Sequence, residues 1–375
     1  MKGVVAVLIF GTCLNAGICS GQTVWRDSSP HRVQMITVDK DTQLEMLDWG
    51  GSGRPLVLLS GLGNTAHVFD DFAPQFTATH HVYAITRRGF GASSAPPTGY
   101  TADRLGDDVV SVLDMLKLES PVLAAHSLGG SELSSIAARH VGRVAGLIYL
   151  DAGYSYALYD SDHRDFTLDL VDLRGKLERL QNMQNMPAER KQLVDLLLSE
   201  TLPAFERALR ERQNAPSAPP VPIPAAPRAS ETDRSSFASW IAWQKKSQGY
   251  AVPEAEARQL LAVTPSGGVG EHRGQPSIGA AIQNGMQKRA DIGVPSLVIF
   301  ALPHSPGAFM KESPAALAFL EAVDLESTGR QATFWETHVP SARVVRIPRA
   351  DHFVFLTNEE EVTREMRAFL AGLSR

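Results

Sequence analysis

Between residues 33 and 150 the chain alternates short apolar runs with amphipathic stretches. Residues 33–38 and 44–49 flank the turn Asp39-Lys40-Asp41 and predict two strands joined as a hairpin. Residues 55–60, 81–86, 122–125 and 145–150 are nearly continuous apolar runs bounded by turn residues, the pattern of strands buried on both faces of a parallel sheet. Among them, residues 101–117 carry Leu105, Val109, Val112, Leu113 and Leu116 at helical spacing. The alternation resumes with a strand at 296–301, a helix near 314–323, a strand at 343–347 and a terminal helix at 359–373. An antiparallel pair followed by strand–helix repeats predicts an α/β fold: a mostly parallel eight-stranded sheet flanked by helices.

The interval 153–290 breaks this rhythm and reads as helices at 168–180, 188–212 and 235–246. Pro216, Pro219, Pro220, Pro222, Pro224 and Pro227 make residues 215–228 a semi-rigid connector inside it. The organisation expected is a core in two parts, 31–152 and 291–375, with a helical cap at 153–290 between them. Gly267-Gly268-Val269-Gly270 has no Gly-Lys-Ser/Thr after it, so it is not a phosphate-binding P-loop.

The first residues change the expected compartment. Lys2, the apolar run from Val4 to Phe10 and the small residues down to Ser20 and Gly21 have the layout of a signal peptide, residues 1–21, which predicts a periplasmic or secreted protein. Both cysteines, Cys13 and Cys19, fall inside it, preceded by Thr12 and Ile18 rather than by the small residue a lipidation signal needs. The processed chain would then have no thiol, no disulfide and no stable membrane anchor. A net charge of -5 without a Lys/Arg cluster gives no nucleic-acid footprint. A small-molecule substrate is the partner expected, with no cofactor and no metal; oligomeric state is left open.

The chemistry centres on Pro121-Val122-Leu123-Ala124-Ala125-His126-Ser127-Leu128-Gly129-Gly130. A buried strand ends in a serine flanked by small residues, and the helical pattern Leu133, Ile136, Ala137 follows at once. That is the form of a nucleophile elbow, where a tight turn lifts the serine hydroxyl above the sheet at a helix N-terminus. The glycine turn Ser60-Gly61-Leu62-Gly63-Asn64 leaves an earlier strand, so the N–H groups of Leu62 and Leu128 are the expected oxyanion donors. His352, in the loop after the last strand, is the expected general base. His126 points away from the serine and reads as packing behind it. The chain order Ser…acid…His asks for a carboxylate between them. The turn after strand 296–301, Leu302-Pro303-His304-Ser305-Pro306, offers none, so Asp151 at the preceding strand's end is chosen, with Glu312 and Asp324 as alternatives.

Taken in order, Ser60-Gly61-Leu62-Gly63, Arg88-Gly89-Phe90-Gly91-Ala92-Ser93, Ala125-His126-Ser127-Leu128-Gly129-Gly130 and Asp351-His352-Phe353 resemble the α/β-hydrolase superfamily. The resemblance covers residues 33–150 and 292–373 and is to its capped, serine-nucleophile members. It implies a serine hydrolase working through an acyl-enzyme, of the ester-cleaving type, with thioester, lactone, amide and carbon–carbon bonds as alternative targets of the same triad; members with an acid after the sixth strand support Asp151. Ser60 departs from the histidine many members carry, and Ser127 from the aspartate of dehalogenases and epoxide hydrolases. Aromatic residues of the cap, foremost Tyr154 and Trp240, are the expected substrate contacts. Two rival readings compete. One is a non-catalytic small-molecule binder of the same fold. The other is an NADP-binding oxidoreductase, with a dinucleotide fingerprint in residues 58–66 and arginines at Arg87 and Arg88.

Overall fold

The apolar runs become the strands of one sheet in the computed structural model, which describes residues 25–373 apart from 185 and 215–220. The expected signal peptide and the first part of the proline run lie outside the described residues. The strands are β1 (Arg32–Asp39), β2 (Thr42–Gly50), β3 (Pro55–Leu59), β4 (His81–Ile85), β5 (Val122–His126), β6 (Gly146–Leu150), β7 (Leu261–Val263), β8 (Val269–His272), β9 (Ser296–Ala301) and β10 (Ala342–Ile347). Eight form the sheet in the order β1-β2-β4-β3-β5-β6-β9-β10. The pairs β1–β2 and β2–β4 are antiparallel and the rest are parallel.

The helices are α1 (Ala102–Met115), α2 (Gly129–Arg139), α3 (Phe166–Asn182), α4 (Pro187–Leu196), α5 (Leu202–Asn214), α6 (Phe237–Ser247), α7 (Glu254–Leu260), α8 (Pro276–Asn284), α9 (Pro314–His338), α10 (Val354–Thr357) and α11 (Glu359–Gly372). Helix α1 shows how pattern becomes packing. Thr101 accepts the Arg104 N–H and caps its start, and Leu105, Val109, Val112 and Leu113 are buried while Met115 faces out. Alternate residues of the central strands feed two cores, Leu123 and Ala125 on one face and Val122 and Ala124 on the other. Each such leucine is worth about 1.5–3 kcal/mol of burial.

The strand order reverses at β3, whose neighbours are β4 and β5. Loops leaving the carboxyl ends of β3 and β5 therefore meet at a topological switch point, where open α/β sheets form their crevice. Strands β5, β6, β9 and β10 lie side by side, so the residues after them converge although the chain places them far apart.

The insertion between β6 and β9 is not wholly helical, which corrects the sequence expectation. Helices α3 to α5 share a small core of Leu173, Leu193 and Leu197. The later part folds onto the main body: Phe237, Val252, Ala257 and Val269 join a sheet core, and Ile278 and Ile282 of α8 pack against Leu128. Strands β7 and β8 form a hairpin whose turn holds the glycine run, with Gly267 at φ +86. A side chain on Gly268 would come within 2.7 Å of the Arg234 carbonyl oxygen. Strands of three and four residues are too short to show periodicity, so the sequence did not announce them.

Candidate active site

Ser127 stands between β5 and α2 at φ +50, a left-handed conformation that costs a serine about 1–3 kcal/mol. The turn is held from both sides. Ser127 donates its N–H to the Leu150 carbonyl at 3.3 Å, and a Cβ on Gly130 would lie 2.2 Å from the Ala152 oxygen. A Cβ on Gly129 would lie 3.0 Å from Ala125 Cβ and 3.1 Å from the Ser60 oxygen, so the flanking small residues reflect backbones in contact.

His352 Nε2 lies 2.8 Å from Ser127 Oγ, and His352 Nδ1 lies 2.6 Å from Asp151 Oδ2. With Nδ1–H donating to the carboxylate, Nε2 is left to accept the serine proton, a tautomer assigned from its partners. Asp151 follows β6, is fully buried, and also accepts the Ala301 N–H at 3.0 Å and the Tyr154 hydroxyl at 2.8 Å. Burial alone would raise its pKa, but hydrogen bonds from His304 and His352 and their charge outweigh it and hold the carboxyl at about 2. His126 is buried with its Nε2 3.0 Å from the His352 carbonyl oxygen, to which Nε2–H donates. Burial first, then the neighbouring His352, push it down to about 3, so it stays neutral and braces the His352 loop.

The sequence reading did not assign His304. Its Nε2–H donates to Asp151 Oδ2 at 2.8 Å and its Nδ1–H to Asp324 Oδ2 at 2.8 Å. Asp324, an alternative acid, thus reaches His304 rather than His352, while Glu312 is exposed in a 3₁₀ helix. Burial opposes the charge on His304, yet hydrogen bonds to Asp151 and Asp324 raise its pKa to about 10, so it is an imidazolium. The available signal was its position, in the turn where a carboxylate was sought.

His304 stands above its ordinary 6.5, so its stabilisation is full below that pH and is lost as pH rises through about 10. Asp151 is depressed, so its stabilisation is full above 3.8 and is lost as pH falls through about 2. His304→Gln should therefore lower the urea midpoint most between about pH 4 and 6.5, with the gap closing toward pH 10. A gap independent of pH over that range would contradict an imidazolium at this position.

The loop after β3 comes against the elbow: a Cβ on Gly61 would lie 2.9 Å from His126 Nδ1 and 3.0 Å from Ser127 Cβ. Among the described residues, the N–H groups of Leu62 and Leu128 donate to no protein acceptor; Leu128 follows the serine and Leu62 follows Gly61. Arg87 fixes the loop, donating from Nη1 to the Gly61 oxygen at 3.1 Å, from Nη2 to the Ser60 oxygen at 2.8 Å, and from Nε to buried Glu132 of α2. Arg88 is spent on Asp108, at 2.5 and 2.6 Å. These ion pairs correct the dinucleotide reading, because neither guanidinium is left to meet a nucleotide phosphate. The glycine loop also opens only a short 3₁₀ helix, Ala66–Phe69.

Tyr154 and Trp240, the expected substrate contacts, each have partners within the protein. Tyr154 gives its hydroxyl to Asp151 and stacks beside His304, so it supports the acid. Trp240 packs against the core cluster containing Phe237 and lies 6.4 Å from the Trp243 ring. Tyr156, another of the cap aromatics, has its hydroxyl interacting with Ser127 and is pushed far up by burial and by Asp151.

This arrangement can activate a serine hydroxyl, hold the imidazolium that results and receive a developing oxyanion. The chain is similar over 120 residues, at 33% identity, to the non-heme chloroperoxidase of Streptomyces lividans, covering 31% of this chain and 44% of that protein. It is 28% identical over 101 residues to 2-(acetamidomethylene)succinate hydrolase of Mesorhizobium japonicum, covering 27% of this chain and 36% of that protein. The matches thus span less than half of these relatives. Among solved structures, an E-2-(acetamidomethylene)succinate hydrolase superposes with TM-score 0.55 at 18% identity, covering 91% of this chain and 100% of that one. A thermophilic esterase from Thermogutta terrifontis superposes at 0.52 and 19% identity, covering 91% and 98%. The model of the alpha/beta hydrolase fold matches residues 54–359, from β3 to the start of the last helix. With sheet order, elbow and family match in agreement, the chain belongs to the α/β-hydrolase fold family.

Proposed function

We propose that this protein is a serine hydrolase that cleaves small apolar esters through an acyl-enzyme. The observation that carries the proposal is the hydrogen-bonded series Ser127–His352–Asp151, at 2.8 and 2.6 Å. Ser127 Oγ attacks the ester carbonyl carbon while His352 Nε2 takes its proton. Asp151 holds the imidazolium, and the N–H groups of Leu62 and Leu128 bind the oxyanion. Collapse expels the alcohol, which leaves with the proton from His352. Water, deprotonated by the same nitrogen, then attacks the acyl carbon and frees the acid and Ser127. The signal-peptide layout of residues 1–21 supports export as the setting for this activity.

A panel of p-nitrophenyl esters of increasing acyl length tests the reaction class. The expected result is a burst of p-nitrophenol matching the enzyme concentration, followed by slower turnover. Absence of turnover across the panel would favour the binding-only reading. The chloroperoxidase relative supports a second reading, peroxide- and halide-dependent oxidation at the same site. Halogenation of a phenol dye that requires Ser127, without ester turnover, would favour it.

A further inference from the structure

A second group of ionisable side chains lies where the chain enters the fold. Asp27 and His31 precede β1, and His67 and Asp70 belong to the 3₁₀ helix Ala66–Phe69 and its C-cap. One ligating atom from each lies within 4.8 Å of all the others. His31 Nδ1 is 3.1 Å from Asp70 Oδ1, and His67 Nδ1 is 3.1 Å from Asp70 Oδ2 and 3.3 Å from Asp27 Oδ2. The side chains of His31, His67 and Asp70 are only 3%, 5% and 4% exposed.

The contacts are close, yet they leave polar atoms unsatisfied. Asp27 Oδ2, His31 Nδ1, His67 Nε2 and Asp70 Oδ1 are buried and make no hydrogen bond, although His67 Nδ1 bonds Asp70 Oδ2 at 3.1 Å. Burying carboxylates this way is strongly unfavourable without a cation. Four ligands bonded at about 2.0–2.1 Å in a tetrahedron sit roughly 3.3–3.4 Å apart, close to the spacing seen here. Behind His67, Glu45 Oε1 lies 3.6 Å from Nε2, and Thr86 donates its hydroxyl to Glu45 at 2.7 Å. A carboxylate behind an imidazole is the usual device for fixing a ligating ring.

We propose that Asp27, His31, His67 and Asp70 bind one divalent transition-metal ion of the zinc type. Two imidazoles with two carboxylates favour such an ion over calcium or magnesium, which prefer more numerous oxygen ligands. The ion would fasten the entering segment to the 3₁₀ helix that follows the Leu62 loop. That helix is held on its other side by buried Glu256, which accepts from the Thr65 N–H at 3.0 Å and from Asn64 at 2.9 Å. The sequence predicts no metal, because both cysteines fall inside the expected signal peptide and the processed chain has no thiol ligand. The site is a brace, independent of the reaction proposed at Ser127.

The test uses the full chain, stripped with a chelator and titrated with zinc by calorimetry, with metal content and Tm measured alongside. Wild type should take up about one zinc per chain and gain Tm on binding. His31→Ala should weaken uptake by more than about tenfold. His352→Ala should bind as wild type, because it dismantles the other close cluster, Asp151 with His304 and His352. If His31→Ala does not fold, Asp27→Asn, at a 27% exposed ligand, is expected to weaken uptake instead. Failure of the stripped wild type to bind zinc, with Tm unchanged, would overturn the site and leave a buried network of paired side chains. Uptake lost in His352→Ala but kept in His31→Ala or Asp27→Asn would overturn it equally.

Discussion

Asparagine in place of Asp151 should lower kcat by about 10⁴-fold and at the same time weaken the fold. The amide would face His352 Nδ1 with an N–H, forcing the proton to Nε2 and leaving no acceptor for the Ser127 hydroxyl. The loss of stability comes from the other side of the carboxylate. Asp151 also holds His304, an imidazolium pinned between it and Asp324, and a buried amide cannot replace that charge. Removing one partner of such a buried pair costs on the order of 3 kcal/mol. Steady-state kinetics and urea melts on the same preparation read both effects. Ser127→Ala is the control, with a comparable loss of turnover and little loss of stability. Near-wild-type turnover in Asp151→Asn would move the acid to another residue.

Arg87→Met is expected to have the next largest effect. The guanidinium ties the carbonyls of Ser60 and Gly61 to Glu132, so it joins the oxyanion loop to the helix that follows the nucleophile. Its loss strands a buried carboxylate, already raised in pKa by burial against the pull of Arg87, at a cost of about 3–5 kcal/mol. The Leu62 N–H would also lose its fixed aim, and a misplaced donor of this kind lowers kcat by about 10²–10³-fold. The double variant Arg87→Met/Glu132→Gln separates the two effects. Stability should largely return, because no charge is stranded, while kcat stays low, because the loop carbonyls remain untethered. Recovery of both would make Arg87 only the counterion of Glu132.

The residues legible from sequence are those whose role depends on local chain geometry. Ser127 was marked by small neighbours that keep strand and helix backbones in contact, and His352 by its loop after the last strand. Leu62 and Leu128, the proposed oxyanion donors, were named from the same turns, because a backbone donor needs no side-chain signature. Asp151 was reached by finding no carboxylate after the Ser296–Ala301 strand, and the sheet order puts it beside the elbow. What stayed hidden depends on partners far along the chain. His304 acquires its role only when Asp324, twenty residues on in α9, folds back onto it. The hydrogen bond from Tyr154 to Asp151 was hidden too, because aromatic composition cannot show where a hydroxyl donates. The cluster of Asp27, His31, His67 and Asp70 was hidden for the same reason, since neither pair means anything until the entering segment meets the 3₁₀ helix.

The central claim is that Ser127 is a nucleophile activated by His352, and covalent labelling with a fluorophosphonate tests it most directly. Intact-mass analysis should show a single adduct per chain, mapped to the peptide containing Ser127, absent from Ser127→Ala and formed far more slowly in His352→Ala. An unlabelled wild-type protein, or an adduct on another residue that persists in Ser127→Ala, would contradict the account.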